Sequence, residues 1–137
     1  MNSKSLIKTM ILFGFIFLFI GICLGAMTTH FIGPKVSPEK LIAVETAIRY
    51  EMYIGLAFLA LAGIESKLKF SLNIPFILML VGALLFVVPI YISAFLEMSG
   101  IIIGKSSLFV IPIGGTCLIL SWLLLIIKII KQKTTND

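Results

Sequence analysis

Residues 37 to 64 are predicted to form one helix that begins polar and ends apolar, and this helix limits what the whole chain can become. Ser37 is a typical N-cap, Pro38 leaves no N–H unpaired at the first helical position, and Glu39 complements the positive end of the helix dipole. The uninterrupted apolar part, Met52 to Ile64, spans only about 20 Å at about 1.5 Å per residue, whereas the hydrocarbon core of a bilayer is about 30 Å thick. If this helix crosses a membrane, it must carry polar residues below the membrane surface.

The composition indicates that the chain does belong in a membrane. Apolar residues make up 60% of the 137 positions and charged residues only 12%, whereas about a quarter of a soluble domain is charged. The length suits about four spans of roughly 20 residues with short connections, which leaves no room for a separate soluble domain. We therefore expect an all-α integral membrane protein that forms a four-helix bundle as a single domain.

Apolar stretches separated by polar or glycine-containing segments predict where the spans lie. We expect helices at about 9–28, 38–65, 74–97 and 107–130, with a loop at 28–35. A secretory signal is the rival interpretation of the first stretch, but the apolar run from Met10 to Met27 exceeds a usual signal core and is not followed by a small-residue cleavage site. Ile22 directly before Cys23 likewise disfavours a lipoprotein acylation site. We interpret the stretch as a retained span.

Prolines and glycines predict where helices bend or approach one another. Helix breaks are expected at Pro89, Pro112, Gly114 and Gly115. The proline inside the third span should kink it by freeing a carbonyl one turn earlier, and the Pro112 to Gly115 run should interrupt the last span. Gly21 and Gly25 form a small-xxx-small face on which a second helix could pack, although glycine is frequent in membrane helices generally.

The net charge of +5 comes from lysines at the helix ends, so we interpret it as a topology signal and expect no nucleic acid partner. One side of the predicted membrane carries Lys4, Lys8, Lys67, Lys69, Lys128, Lys131 and Lys133, and the other carries Lys35, Lys40 and Lys105. Because cytoplasmic segments carry the excess of positive charge, we expect both termini in the cytoplasm. A bacterial cytoplasmic (inner) membrane is the simplest location, since no Arg/Ser-rich transit leader is recognisable.

With that orientation, polar side chains from separate segments converge on the outer half of the bundle. This candidate polar cluster consists of His30, Glu45, Arg49, Glu51, Tyr53 and Tyr91. Glu45 and Arg49 lie four residues apart in the favourable acid-first order and are expected to pair. Glu51 points roughly 200° away from Arg49, at about 100° per residue, so it needs a hydroxyl, His30 or a proton of its own. The cluster is either structural, holding helices together by hydrogen bonds, or a ligand or proton site open to the outside.

No arrangement of residues typical of catalysis is recognisable in the sequence. There is no nucleophile-base-acid set, phosphate-binding glycine loop or Cys/His cluster. His30 alone is not expected to bind a metal or haem, and no cofactor is expected. Cys23 and Cys117 lie in apolar runs, so both are expected to be free thiols.

Several short motifs resemble those of a known family of small bacterial membrane proteins. The first is Gly25-Ala26 followed by His30. The second lies within 45–57 and consists of Glu45, Ala47, Tyr50, Met52, Tyr53, Gly55, Leu56 and Ala57. The others are Phe86 with Tyr91, Pro112-Ile-Gly-Gly115, and Trp122. In this order they resemble the domain of unknown function 423 family over about residues 20 to 127. The resemblance implies a four-span membrane protein and brings no agreed biochemical activity with it.

The chain departs from the family pattern within the candidate polar cluster. Ile54 stands where the family has a second histidine, Glu51 where it has glutamine, and Ile111 where it has threonine, while Val87 and Pro89 replace serines. If the family's outer polar layer binds something, this chain has lost part of it. The departures favour the structural interpretation here.

We therefore expect a non-enzymatic membrane protein that works by association, as a homo-oligomer or as an accessory subunit of a larger membrane complex. The alternative is a small transporter or channel component with a polar site in the outer leaflet. Arg49 and Glu51 at depth, and breaks at Pro89 and Pro112, motivate that alternative.

Overall fold

A computed structural model describes residues 2–101, 104 and 109–132, and the regular structure in these ranges is helical throughout. The long helices are α1 (Ser3–Met27), α2 (Pro38–Ile64), α3 (Asn73–Met98) and α4 (Val110–Lys131). A π-helical turn (Thr28–Ile32) and a 3-10 turn (Gly33–Lys35) follow α1, and a second 3-10 turn (Glu65–Lys67) follows α2. All four long helices are long and apolar enough to cross a membrane, which confirms the all-α prediction and the number of spans within the described ranges.

The segment at 28–35, expected to be a loop, continues α1 as helical turns instead. The Thr28 hydroxyl donates to the Leu24 carbonyl at 2.7 Å, and the Thr28 N–H bonds the Gly25 carbonyl. This back-bonding satisfies the hydroxyl without ending the helix, and such bonds often bend helices locally. Within the α1–α2 connection, the backbone is extended at Val36 and Ser37. The Ser37 hydroxyl caps α2 by accepting the Lys40 N–H, as its N-cap position predicts.

The helix break expected at Pro112, Gly114 and Gly115 is not observed, because α4 runs without interruption from Val110. Pro112 is the third residue of the helix, where a backbone N–H has no intrahelical partner, so proline removes no hydrogen bond there. Helix α3 likewise continues through Pro89. Residues 107 and 108, which the sequence assigned to the last span, lie outside the described residues.

Hydrogen bonds between helix ends establish how the chain runs. The Ser3 hydroxyl donates to Glu65 Oε2 at 2.6 Å, and the Lys69 N–H donates to Gln132 Oε1 at 3.2 Å. Because Glu65 and Lys69 both lie in the α2–α3 connection, the two ends of the described chain meet at one end of the bundle, called here the terminal end. The α1–α2 connection lies at the opposite end, so successive helices run antiparallel.

Glycines let the helices of each hairpin approach until their backbones touch. In the α1–α2 hairpin, a Cβ on Gly14 or on Gly55 would lie 3.0 Å from the other residue's carbonyl oxygen. In the α3–α4 hairpin, a Cβ on Gly82 would lie 3.0 Å from the Gly114 carbonyl oxygen, and one on Gly114 only 2.5 Å from the Phe86 nitrogen. Such close approach is the usual way in which membrane helices gain packing energy, since lipid supplies no hydrophobic drive between them.

The predicted packing face on α1 is used within the chain, and its two glycines differ. A Cβ on Gly21 would lie 2.8 Å from Met52 Cγ, so the Met52 side chain packs directly over this glycine and would have to shift if a side chain were added. A Cβ on Gly25 would meet Ile48 at 3.9 Å, an ordinary distance, and Gly25 is exposed. Close packing against α2 is therefore found at Gly21 and not at Gly25.

An aromatic cluster joins the two hairpins in the terminal half of the bundle. Phe58 of α2 is fully buried, with its ring centroid 4.9 Å from that of Phe76 in α3 and 5.8 Å from that of Phe17 in α1. Nearer the opposite end, small and β-branched residues of α2 and α3 such as Val44, Ala47 and Val87 form a second core. The polar side chains described below lie beside this second core.

We predict that Gly114→Ala destabilises the fold, because the added methyl would collide with the α3 backbone, which cannot move aside as a side chain can. Overpacking of this kind costs typically about 1–3 kcal/mol. The measurement is the unfolding midpoint of the detergent-solubilised protein. Gly63→Ala is the matched control: nothing lies within 4 Å of its added Cβ, so it should be neutral or slightly stabilising, and equal midpoints for the two variants would contradict the prediction.

Candidate functional site

Glu51, the acid that the second span carries into the membrane, is buried and paired. Its side chain is 4% exposed, and Tyr91 of α3 donates its hydroxyl to Glu51 Oε2 at 2.7 Å. The carboxyl lies beside Gly21 of α1, whose added Cβ would be 3.9 Å from Oε2. Of the partners that the sequence allowed, the one found is a hydroxyl. The bond links the middle of α2 to the last third of α3.

A second network joins the start of α2 to the end of α3. Lys40 Nζ donates to the Ser93 hydroxyl at 2.9 Å and lies 3.9 Å from Glu97 Oε2. The Ser93 hydroxyl in turn donates to the Ile90 carbonyl at 2.8 Å. The Ser37 N–H donates to Glu97 Oε1 at 2.6 Å, so one carboxylate both caps α2 and meets its lysine. These bonds fix the relative height of α2 and α3 at the opposite end.

Glu45 and Arg49 do not form the predicted ion pair with each other. The Arg49 guanidinium instead donates to the Thr46 hydroxyl at 3.1 Å, and both charged side chains are exposed. They line an open groove of about 300 Å³ between α1 and α2, together with Gly25, Thr28, Thr29 and Ile48. An exposed ion pair contributes little to stability, so a local hydroxyl competes well for the guanidinium.

The remaining members of the candidate polar cluster stand apart from Glu51 and Tyr91. His30 is exposed within the π-helical turn. Tyr53 is 62% exposed on the outer face of α2. The cluster therefore divides into the buried Glu51–Tyr91 pair, an exposed groove with Glu45 and Arg49, and two outlying side chains. Among the described residues, no group of three or more His, Cys, Asp or Glu is placed to hold a metal ion.

Polar contacts at the terminal end were missed by the sequence reasoning. Glu65 is buried and accepts the Ser3 hydroxyl, and the fully buried Ser121 of α4 donates to the Pro75 carbonyl of α3 at 2.9 Å. The Lys40–Glu97 contact, at the opposite end of the bundle, was also missed. It could have been predicted, since the start of α2 and the end of α3 lie on one side of the predicted membrane and carry opposite charges. The Ser121 contact left no such signal, because the identity of its carbonyl partner depends on how α3 and α4 pack.

A lipid-facing groove between α2 and α4 is a further cavity that the sequence did not indicate. Its volume is about 290 Å³, and α3 contributes Phe86 to it. The other lining residues are Tyr50, Tyr53, Ile54, Gly115, Leu118, Ile119 and Trp122. Four aromatic rings thus surround one apolar cavity outside the two polar networks.

Four membrane-capable helices, with their polar side chains paired at helix contacts, define a multi-pass membrane protein. A family model described as "Protein of unknown function (DUF423)" matches residues 24–115. The chain belongs to the DUF423 family, which confirms the resemblance seen in its motifs.

Relatives of known name support this assignment. A UPF0382 membrane protein of Staphylococcus saprophyticus is 32% identical over 124 residues, covering 90% of this chain and 98% of the relative. One from Staphylococcus haemolyticus is 29% identical, covering 90% and 97%. One from Haemophilus influenzae is 28% identical over 116 residues, covering 85% and 89%. No solved structure matches the chain.

We predict that the Glu51–Tyr91 bond contributes measurably to stability. Tyr91→Phe leaves a buried carboxyl without its donor, which costs roughly 1–3 kcal/mol. Glu51→Gln keeps an acceptor and should cost less, and the double variant should show a coupling energy of the pair. The measurement is reversible unfolding in mixed micelles.

Tyr53→Phe is the matched control, since the Tyr53 hydroxyl has no hydrogen-bond partner among the residues that the structure describes. It should not lower the free energy of unfolding. A loss in Tyr91→Phe no larger than in this control would show that the bond is dispensable.

Proposed function

We propose that this protein works by association within the membrane, as a homo-oligomer or as an accessory subunit of a larger membrane complex, and not by catalysis. The observation that supports this most strongly is that buried and partly buried polar side chains of α2 and α3 bond one another. Glu51 is paired with Tyr91, and Ser93 and Glu97 are paired with Lys40. Groups that satisfy one another across helices hold a bundle together.

The transport alternative depends on Glu51 meeting an open path. In the structure Glu51 is nearly fully buried against α1 and α3, while the open groove between α1 and α2 is lined by Glu45 and Arg49. This arrangement favours a structural role for the buried acid over a place on an ion pathway.

The outward face of α1 is the surface that we propose for association. Bulky apolar side chains recur there with alternating spacings of three and four residues, at Leu12, Phe15, Phe19 and Ile22, and all four are exposed. This is the spacing of side chains that interlock between two helices. In a symmetric dimer the same stripe would face its copy.

We also propose that the terminal end faces the cytoplasm of a bacterial cell, in its inner membrane. Support comes from the distribution of lysines, since Lys4, Lys8, Lys67, Lys69, Lys128 and Lys131 all belong to helix ends or connections at the terminal end. The opposite end has Lys35 and Lys40 in the described ranges. An excess of basic residues on the cytoplasmic side is the usual rule.

Association through α1 predicts that Cys23, exposed beside Ile22, crosslinks between copies. In a Cys117→Ala background, mild oxidation of membranes should give a disulfide-linked dimer through Cys23. The matched control removes Cys23 as serine and places Leu84→Cys on the exposed face of α3, where no dimer should form.

An accessory subunit would crosslink to another protein instead, so a photoreactive residue at Phe19 completes the test. A heterologous adduct there supports the subunit form of the proposal. A protein that stays strictly monomeric, with neither a disulfide dimer nor a photoadduct, contradicts it.

The proposed orientation predicts which end a membrane-impermeant maleimide can reach in intact bacterial cells. In a cysteine-free background, Thr29→Cys at the opposite end should be labelled, and Ser66→Cys at the terminal end should be labelled only after the cells are opened. Both positions are exposed in the structure, so access to the reagent decides the result. The reverse pattern would overturn the orientation.

A further inference from the structure

The groove between α2 and α4 contains two tyrosine hydroxyls with nothing to bond. Tyr50 and Tyr53 are one helical turn apart and both line the groove. Neither hydroxyl has a hydrogen-bond partner within the described ranges, although Tyr50 makes ring contacts with Tyr53 and Phe86 at 6.3 and 5.2 Å. Both tyrosines, 46% and 62% exposed, therefore line an apolar cavity of about 290 Å³ that is open at the surface of the bundle.

The depth of Tyr50 and Tyr53 in the membrane makes a hydroxyl without a hydrogen-bond partner energetically costly. Counted from Ile64 at the apolar end of α2, Tyr50 and Tyr53 lie about 21 and 16 Å along the helix at about 1.5 Å per residue, and the hydrocarbon core is about 30 Å thick. Tyrosines of membrane proteins concentrate at the two interfaces, where water satisfies the hydroxyl. In the hydrocarbon region an unsatisfied donor is disfavoured unless another group accepts its bond.

The lining of the groove restricts what could supply an acceptor. It contains no charged residue, so a phosphate or an ammonium group finds no counter-charge there. The ester oxygens of a phospholipid lie near the membrane surface, away from the mid-helix tyrosines, and its acyl chains carry no acceptor. The aromatic side chains offer faces and edges to a planar ring, for which offset or edge-to-face contacts are favourable.

We propose that this groove binds a membrane-soluble molecule with a planar ring that carries carbonyl acceptors, the chemistry of a quinone headgroup. The ring lies among Tyr50, Phe86 and Trp122, and the tyrosine hydroxyls donate to its carbonyl oxygens. The cavity volume is at the lower end of the roughly 300–1,000 Å³ typical of ligand pockets, which suits a headgroup whose apolar tail continues into the lipid. The proposal concerns binding alone and is independent of association through α1.

Trp122 allows a direct test, because it is the single tryptophan of the chain and lines the groove. In protein reconstituted into lipid nanodiscs, a short-tailed ubiquinone analogue should quench its fluorescence and reach saturation. Tyr50→Phe/Tyr53→Phe keeps both rings and removes both donors. We expect it to weaken binding about tenfold or more, since each hydrogen bond contributes a factor of roughly 3 to 10.

A second variant blocks the groove without disturbing the fold. A Cβ added at Gly115 would meet only Phe86 Cδ2, at 3.9 Å, so Gly115→Leu should extend into the cavity and abolish saturable quenching. Its unfolding midpoint, measured alongside, should match that of the unmodified protein. Saturation that survives in a folded Gly115→Leu variant would overturn the proposal.

A tryptophan moved out of the groove measures how much of the quenching comes from random collisions with analogue dissolved in the lipid. In Trp122→Phe/Phe95→Trp the tryptophan lies on the exposed face of α3, outside the groove and away from the α1 association surface, and quenching should rise linearly without saturation. Identical curves for the two reporters, or no effect of the tyrosine double variant, would contradict ligand binding.

Two other occupants are distinguished by the same fluorescence. If brominated phospholipid quenches Trp122 and the quinone analogue cannot relieve that quenching, the groove holds an acyl chain and the proposal fails. If the Trp122 emission depends on the number of protein copies per nanodisc and not on the analogue, a second copy fills the groove and the proposal also fails.

Discussion

Backbone contact at glycines is the constraint on which the rest of this structure depends. Lipid tails are as apolar as leucine, so two helices in a bilayer gain little by hiding apolar side chains from lipid and must gain from close packing. Gly14 against Gly55 and Gly82 against Gly114 bring the helices of the two hairpins to backbone distance. These two contacts and the Phe58 cluster that joins the hairpins set the distances at which the polar and aromatic side chains of neighbouring helices meet.

Within that frame, polar side chains determine how α2 and α3 are aligned. The Glu51–Tyr91 bond lies at the middle of α2, and the contacts of Lys40 with Ser93 and Glu97 lie nearer the start of α2 and the end of α3. Two separated contacts between the same pair of helices resist both sliding and rotation. Burial of an acid is costly, and its presence here is consistent with a role in specifying one arrangement of helices that apolar packing alone would leave less well defined.

Much of the fold could be predicted from the sequence because membrane helices are encoded locally. The length of each apolar run, the Ser37 cap and the need of Glu51 for a partner all depend on residues close together in the chain. Predictions failed where a residue's role depended on its neighbour in space. Gly114 was expected to break a helix, whereas its lack of a side chain lets the backbone of α3 approach α4. Pro112 does not break α4 because it lies in the first turn of the helix. The Glu45–Arg49 pair is an exception, because the Thr46 hydroxyl that the guanidinium binds instead lies only three residues away in the chain.

The aromatic groove shows the same division between local and spatial information. Tyr50, Phe86 and Trp122 lie on three helices far apart in sequence, and none of them signals a cavity by itself. The sequence alone determined that this is an all-helical membrane protein with an acid held inside the bundle, since hydropathy and helix rise are properties of continuous segments. Tertiary structure alone decided which glycines touch, which hydroxyl meets Glu51 and where tyrosines remain unpaired, because these depend on the distances between helices.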